Sequence, residues 1–283
     1  MWLLKIIIKI IISRLPIPYR FWKKVNIFKH GKMENFEYSR RIFEGHFHDM
    51  RKINEIENPI IMEIGPGDSL FSMVYSRKYT KKEFYFLDVK EYATKNHEIY
   101  YKLHKELEKE KFFNKKLGRS FEKFSDVLYF YNANYLTNGL KSIGKIKDNS
   151  IDYIFSHSVM EHVRKKDLIK LVKEMFRILK PNGVISHNIN YKDHLDEGLN
   201  NLRFSEKLWE SNLFANSGFY TNRIPAIEMH MIFKLNGFSL EKEYFGKWKK
   251  LPTKRRLLNN DFKKYTDKDL SVPTSSFLGK KPS

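Results

Sequence analysis

The sequence predicts an α/β fold, a mostly parallel sheet covered by helices on both faces. Three observations carry that expectation. Short apolar runs such as Ile60 to Ile64 and Phe84 to Val89 lack the alternation of a half-exposed strand, so they read as strands buried on both sides. Mixed stretches separate these runs, and parallel strands need such crossovers. A Gly-x-Gly turn, Gly65-Pro66-Gly67, leaves the first run, where open α/β sheets meet their ligands. A length of 283 residues allows one large domain of this kind with appendages.

The chain opens on Trp2 to Ile12, apolar except for Lys5 and Lys9, which with Ser13 form one narrow polar stripe on a helix. Pro16 and Pro18 stop it at about half the length needed to cross a bilayer. From Met1 to Met33 there are eight Lys or Arg and no acidic residue. Two readings fit. One is an anchor lying in the plane of a membrane, with Arg14, Arg20, Lys23 and Lys24 on anionic headgroups; the other is a helix docked on its own domain or a partner. Residues 1–33 are therefore expected to form a basic membrane-surface segment, reaching the membrane through residues 1–24, ahead of a domain spanning 34–283.

A helix is expected over about 34 to 56, ended by Pro59. The strand Ile60 to Ile64, a mixed stretch Ser69 to Tyr79 and the strand Phe84 to Val89 follow. Tyr92 to about Lys123 is a Lys/Glu-rich segment read as a solvated helix, and Val127 to Tyr131 reads as a further strand. Asp152 to Ser156 is the next strand, Lys166 to Leu179 a helix, and Gly183 to Ile189 another strand. After roughly 50 residues, Phe238 to Tyr244 and Val272 to Leu278 bring the count to seven.

Composition excludes several classes. With 41% apolar and 15% aromatic residues the chain is globular, and zero cysteines remove disulfides, thiolate metal sites and cysteine nucleophiles. A net charge of +20 attracts nucleic acid, anionic lipid or acidic substrates. Of the 53 basic residues 40 are Lys, as a coding bias toward AT would also produce.

Gly65 and Gly67 let the backbone approach a ligand closely and permit φ > 0. The third glycine of a dinucleotide fingerprint is replaced by Leu70, and Glu63 and Asp68 would repel a pyrophosphate. Asp88 ends the second strand, where an acid can accept both hydroxyls of a ribose. Glu63 with Asp88 thus points to an adenosine cofactor without pyrophosphate.

At these positions the sequence resembles class I S-adenosylmethionine-dependent methyltransferases, which have a Rossmann-like seven-stranded sheet. Glu63-Ile-Gly-Pro-Gly-Asp68 resembles their first motif and Asp88 their ribose acid; Asn149 to His162 is similar to the fourth-strand segment, and Leu179-Lys-Pro-Asn-Gly183 to the turn into the fifth strand, with Asn182 in place of a usual glycine. The resemblance runs from about Pro59 to Leu278. It implies S-adenosylmethionine as cofactor, with Glu63 orienting the loop or the methionine amine, Gly65, Gly67 and Asp68 beside the methionine part, and Asp88 on the ribose. It further implies Asn132 and Asn134 at the adenine, and Ser156 and His157 under the sulfonium. No metal is expected.

Transfer to a hydroxyl requires removal of a proton, and His or a carboxylate serves best as base. Just past the fifth strand, Asp193 and His194 stand at the cofactor-side rim, so His194 is the first expected base, His157 the second, with Asp193 beside them. The insertion from about 195 to 236 is expected to form the acceptor lid, with Arg203, Asn222 and Arg223 suited to hydroxyl, phosphate or carboxylate groups. Trp209 and Phe219 read as core. The basic start, the Tyr191-Lys-Asp-His194 segment and the lid resemble methyltransferases of bacterial surface-glycan synthesis. A sugar on a membrane-bound glycan or glycolipid is the expected acceptor, at the inner face of the cell membrane. RNA is disfavoured, because no appended RNA-binding module and no motif for exocyclic base amines follows the fourth strand; a small-molecule or lipid acceptor stays open.

Overall fold

A computed structural model describes residues 2–15, 32–113 and 117–283. Seven strands form one sheet in the order β3-β2-β1-β4-β5-β7-β6. They are β1 (Ile61–Ile64), β2 (Phe84–Leu87), β3 (Ala133–Leu136), β4 (Ile151–His157), β5 (Leu179–Asn190), β6 (Ser239–Phe245) and β7 (Thr274–Lys280). β1 runs parallel to β2 and β4, and β2 parallel to β3. β7 is antiparallel to β5: Asn182 N–H donates to the Lys281 carbonyl while Tyr191 N–H donates to that of Pro273. The mostly parallel sheet expected from the apolar runs, with the Rossmann-like form that the resemblance implies, is present.

By contacts the chain divides into two compact units. The first comprises residues 29–157, 174–186 and 278–283. Its core gathers Phe43, Phe47 and Met50 of helix α2 (Phe36–Ile53) with Ile61, Phe84, Phe86, Tyr153 and Phe155 of the sheet. α2 begins where the Asn35 side chain accepts the Tyr38 N–H at 2.9 Å. Its buried positions 39, 42, 43, 46, 47 and 50 recur at helical spacing. Each buried Phe contributes about 1.5–3 kcal/mol. A short α3 (Ser72–Ser76) follows β1, and α4 (His97–Lys109) occupies part of the Lys/Glu-rich stretch.

One expected strand is a helix. Residues 127 to 131 fall in and just after α5 (Phe124–Phe130), and the third strand begins at Ala133. Asp126 accepts the Lys123 N–H at 3.1 Å and fixes the helix start. Val127 and Tyr131, one turn apart, are the buried positions, while Tyr129 between them is 90% exposed. The apolar run therefore has a period near four rather than two. Farther on, Asn182 takes a positive φ of 62° at the turn expected there, and a Cβ on Gly183 would meet Leu179 Cγ at 2.8 Å.

The second unit comprises residues 1–28, 158–173 and 187–277. α6 (Lys165–Ile178) begins in it and crosses into the first unit. Its apolar cluster joins Ile6 to Leu195, Trp209, Phe214, Phe219 and Tyr220, so Trp209 and Phe219 are core as read. The Trp209 indole donates to the Thr221 carbonyl at 2.7 Å. The stretch 195–236 folds here as short turns and α7 (Ala226–Leu235).

Helix α1 (Trp2–Ile12) departs from expectation in its orientation. The lysine stripe faces the protein: Lys5 Nζ donates to the Leu195 carbonyl at 3.0 Å and Lys9 Nζ to that of His194 at 3.4 Å. Ile6 is buried beside them, and Arg203 lies 4.9 Å over the Trp2 ring. Leu3, Leu4, Ile7, Ile8 and Ile11 point outward, 44–61% exposed. The carbonyls of the 194–195 turn accept hydrogen bonds that the helix offers only through its lysines, which is why the polar stripe turns inward. Pro16, Pro18, Arg20, Lys23 and Lys24 lie outside the described residues. Among the described residues no helix is long and apolar enough to cross a membrane.

Candidate active site

The carboxyl ends of β1, β2 and β3 form one edge in the first unit. Gly65 N–H donates to the Leu87 carbonyl at 2.8 Å, Asp88 N–H to that of Leu136 at 2.8 Å, and Gly139 N–H to that of Asp88 at 2.9 Å. Gly65 and Gly67 have φ of 68° and 70°, a region closed to most side chains, so the turn requires glycine at both. The turn carries Glu63, Asp68 and, one strand over, Asp88 to that edge.

Glu63 is buried, with Oε2 lacking a hydrogen-bond partner. Burial, reinforced by the charge of Asp88 and opposed by the Ser72 hydroxyl, pushes its carboxyl up to about 8. Burial likewise pushes Asp88 up to about 7, although its Oδ1 accepts the Val89 N–H at 2.7 Å. Two desolvated carboxyls, one with an orphaned oxygen, fit a cationic ligand that carries hydroxyls. Asp68 is buried in the same turn, and its carbonyl accepts the Thr94 N–H at 2.8 Å.

β4 supplies the neighbouring edge. Ser156 pairs with Ile64 in register and is buried, and His157 follows it. His157 Nδ1 lies 3.3 Å from His46 Nε2, and His46 Nδ1 lies 2.7 Å from Ser186 Oγ. Burial first, then the charge of Arg41, holds the His157 imidazolium below its usual range. His46 was not singled out in the sequence; its place on the buried face of an amphipathic helix was the available signal.

Asn132 and Asn134 stand at the amino end of β3, away from the edge that carries Asp88. Asn132 precedes the strand, and its carbonyl accepts the Phe84 N–H at the start of β2. Four residues at about 3.3 Å each separate that level from Asp88, roughly 13 Å. The displacement follows from the helix that replaced the expected strand. The amide at the Asp88 edge belongs to Asn138, an exposed residue just past β3.

In the second unit the expected base pair separates. Asp193 is buried and its carboxylate caps a turn, accepting N–H groups of Leu195 (3.0 Å), Asp196 (2.7 Å) and Asn200 (2.5 Å). With both oxygens engaged by backbone N–H groups, Asp193 holds the chain. His194 Nε2 lies 3.2 Å from His162 Nε2, and His162 Nδ1 donates to the Tyr220 carbonyl at 2.8 Å. Burial, with His162 and Lys9 adding to it, drives His194 down to about 4. Asn222 is also a structural amide: Nδ2 donates to the carbonyls of Met160 and Val163, and Oδ1 accepts the Ile224 N–H. Arg223 pairs with Glu206 at 2.9 Å, donates to the carbonyls of Asn201 and Phe204, and lies over Trp209 and Phe262. These contacts make Asn222 and Arg223 clamps of the 200–223 stretch, while Arg223 Nε is buried without a partner. Arg203, stacked on Trp2, ties α1 to the same stretch. A cavity of about 600 Å³ in this unit is lined in part by Lys165, Glu206, Glu228, Asn260, Asp261 and Lys264. Among the described residues no group of three or more His, Asp or Glu is placed to hold a metal.

Residues 62–186, which include every group of the β1–β4 edge, match a protein family described as a methyltransferase domain. This segment is similar to methyltransferase domains. S-adenosylmethionine is the cofactor, and the buried Glu63 and half-buried Asp88 fit that cation. An S-adenosylmethionine-dependent methyltransferase from Methanosarcina mazei is similar in structure, with 14% identity, a TM-score of 0.50, and coverage of 83% of this chain and 96% of that one. Phosphoethanolamine N-methyltransferase 2 from Haemonchus contortus, solved with S-adenosyl-L-methionine, shares 14% identity over 85% of this chain and 53% of its own, at a TM-score of 0.46. The likeness to the Methanosarcina mazei structure shows the fold. No curated protein matches the sequence.

Proposed function

We propose that this S-adenosylmethionine-dependent methyltransferase O-methylates a sugar hydroxyl of a glycan or glycolipid intermediate at the cytoplasmic surface of a membrane. The observation that carries the reading is the outward apolar face of α1, next to a chain start rich in Lys and Arg and free of acids. Such a face suits the boundary of an anionic bilayer. The mixed donors and acceptors around the 600 Å³ cavity suit a hydroxyl-rich ligand.

In this reading Glu63 takes the methionine ammonium, Gly65 and Gly67 give the backbone room to approach, Asp88 accepts the ribose hydroxyls and Asn138 meets the adenine edge. When bound, the cofactor supplies a sulfonium methyl for in-line displacement. His157, at the end of β4 beside Ser156, removes the acceptor's hydroxyl proton as the new O–C bond forms. It replaces His194 as the preferred base, because it shares a unit with Glu63 and Asp88 and because an imidazole held near 4 is a weak proton acceptor at neutral pH.

The test is incubation of the full chain with S-adenosylmethionine labelled in the methyl group and, separately, membrane glycolipid or total RNA. Label in the glycolipid fraction is expected. Label in RNA alone would transfer the explanation of the +20 charge to phosphate binding and overturn the reading.

A further inference from the structure

Helix α2 puts a second imidazole in series with His157. His46 sits on the buried face of α2 with Ile42, Phe43 and Phe47, its ring stacked on Phe155 at 5.1 Å and 28°. Its Nε2 is 3.3 Å from His157 Nδ1, its Nδ1 is 2.7 Å from Ser186 Oγ, and the two imidazole planes cross at 84°. The groups around His157 are Arg41 and His46 from α2, Ser156 from β4 and, through His46, Ser186 from β5.

This chain of contacts has two proton arrangements. In one, Ser186 O–H donates to His46, His46 Nε2–H donates to His157 Nδ1, and His157 keeps its own proton on Nε2, where it cannot act as a base. In the other, His157 Nδ1–H donates to His46 Nε2, His46 Nδ1–H donates to Ser186 Oγ, and His157 Nε2 carries the lone pair.

We propose that His46 is a positioning residue that holds His157 as the Nδ1–H tautomer and leaves Nε2 free to take the acceptor's proton. After transfer, His157 carries the proton on Nε2 and still donates through Nδ1 to neutral His46. The acceptor oxygen gains the methyl, the C–S bond breaks with its electron pair on sulfur, and no proton need leave through the relay. Burial alone would make a lone imidazolium costly, and the second ring spreads that cost.

The inference rests on the methyltransferase reading, but its main readout needs no acceptor. The full chain, labelled with ¹⁵N-histidine and saturated with S-adenosylhomocysteine, is observed by NMR. His157 is expected in the Nδ1–H form in the wild type and in His46→Gln, whose side-chain carbonyl still accepts, and in the Nε2–H form in His46→Leu. With the glycolipid fraction as acceptor, His46→Leu is expected to lower kcat about tenfold at neutral pH with KM for S-adenosylmethionine unchanged, and His46→Gln to restore most of it. An Nε2–H wild type, or a tautomer unmoved by His46→Leu, overturns the proposal, and the wild-type spectrum decides even where a variant does not fold. The expected tautomers without label transfer would instead count against the glycolipid acceptor.

Discussion

Replacing Leu4, Ile7 and Ile11 together by Ser isolates the outward face of α1 without touching its contacts to the protein. Those three side chains are 61%, 55% and 57% exposed, whereas Ile6 is 4% exposed and Lys5 and Lys9 are engaged inward. Burying a whole aliphatic side chain contributes about 1.5–3 kcal/mol, so the half that remains exposed on each offers a bilayer about 1 kcal/mol. Three of them amount to about 3 kcal/mol, roughly a hundredfold in partition. The assay is co-sedimentation with vesicles containing phosphatidylglycerol, compared with neutral vesicles. The triple variant is expected to lose about two decades of binding with its melting temperature unchanged. Removing the whole helix would be a poorer test, because it uncovers Trp209 and Phe214. Equal binding of wild type and variant would refute the argument that this face meets a membrane.

Further outcomes are expected at the site. Asp88→Ala removes a charged acceptor and is expected to weaken S-adenosylmethionine binding by roughly 1.5–3 kcal/mol in calorimetry; an unaltered affinity would remove its ribose role. Asn138→Ala is expected to weaken the same binding by about 1 kcal/mol, while Asn132→Ala leaves it unchanged, and the reverse order would restore the original placement of the adenine. Asp193→Ala strands three backbone donors and is expected to cost about 2–4 kcal/mol in urea denaturation with cofactor affinity intact. Glu63 binds its proton more tightly folded than unfolded, so the ligand-free protein loses stability as pH rises from the ordinary carboxyl range toward about 8, by a few kcal/mol at most. Glu63→Gln is expected to flatten that part of the profile, and an unchanged slope in thermal melts would deny the burial penalty.

What could be seen in the sequence followed from chemistry confined to short segments. β1, its two glycines and Asp88 were legible because a buried strand, a turn that needs φ > 0 and a carboxylate at a strand end each leave a local pattern. Val127 to Tyr131 reads as a strand because all five residues are apolar or aromatic, which masks the period that separates a strand from a helix. With a helix there, Asn132 and Asn134 fall at the amino end of β3, and the proposed adenine contact moves to Asn138. Lys5 and Lys9 marked a helix face but not its direction, since the carbonyls of His194 and Leu195 that receive them are about 190 residues away. Asp193 looked like half of a catalytic pair because adjacency in sequence says nothing about three N–H groups closing on the same carboxylate. His46 could not be paired with His157 before α2 was laid against β4.

The most direct measurement is ¹³C NMR of detergent-extracted membrane glycolipids incubated with the enzyme and S-adenosylmethionine carrying a ¹³C methyl group. A new methyl resonance on a sugar oxygen is expected, diminished in both Asp88→Ala and His157→Ala at sub-saturating S-adenosylmethionine. A methyl on nitrogen or on a lipid chain, or an oxygen-linked methyl that survives His157→Ala undiminished, would contradict it.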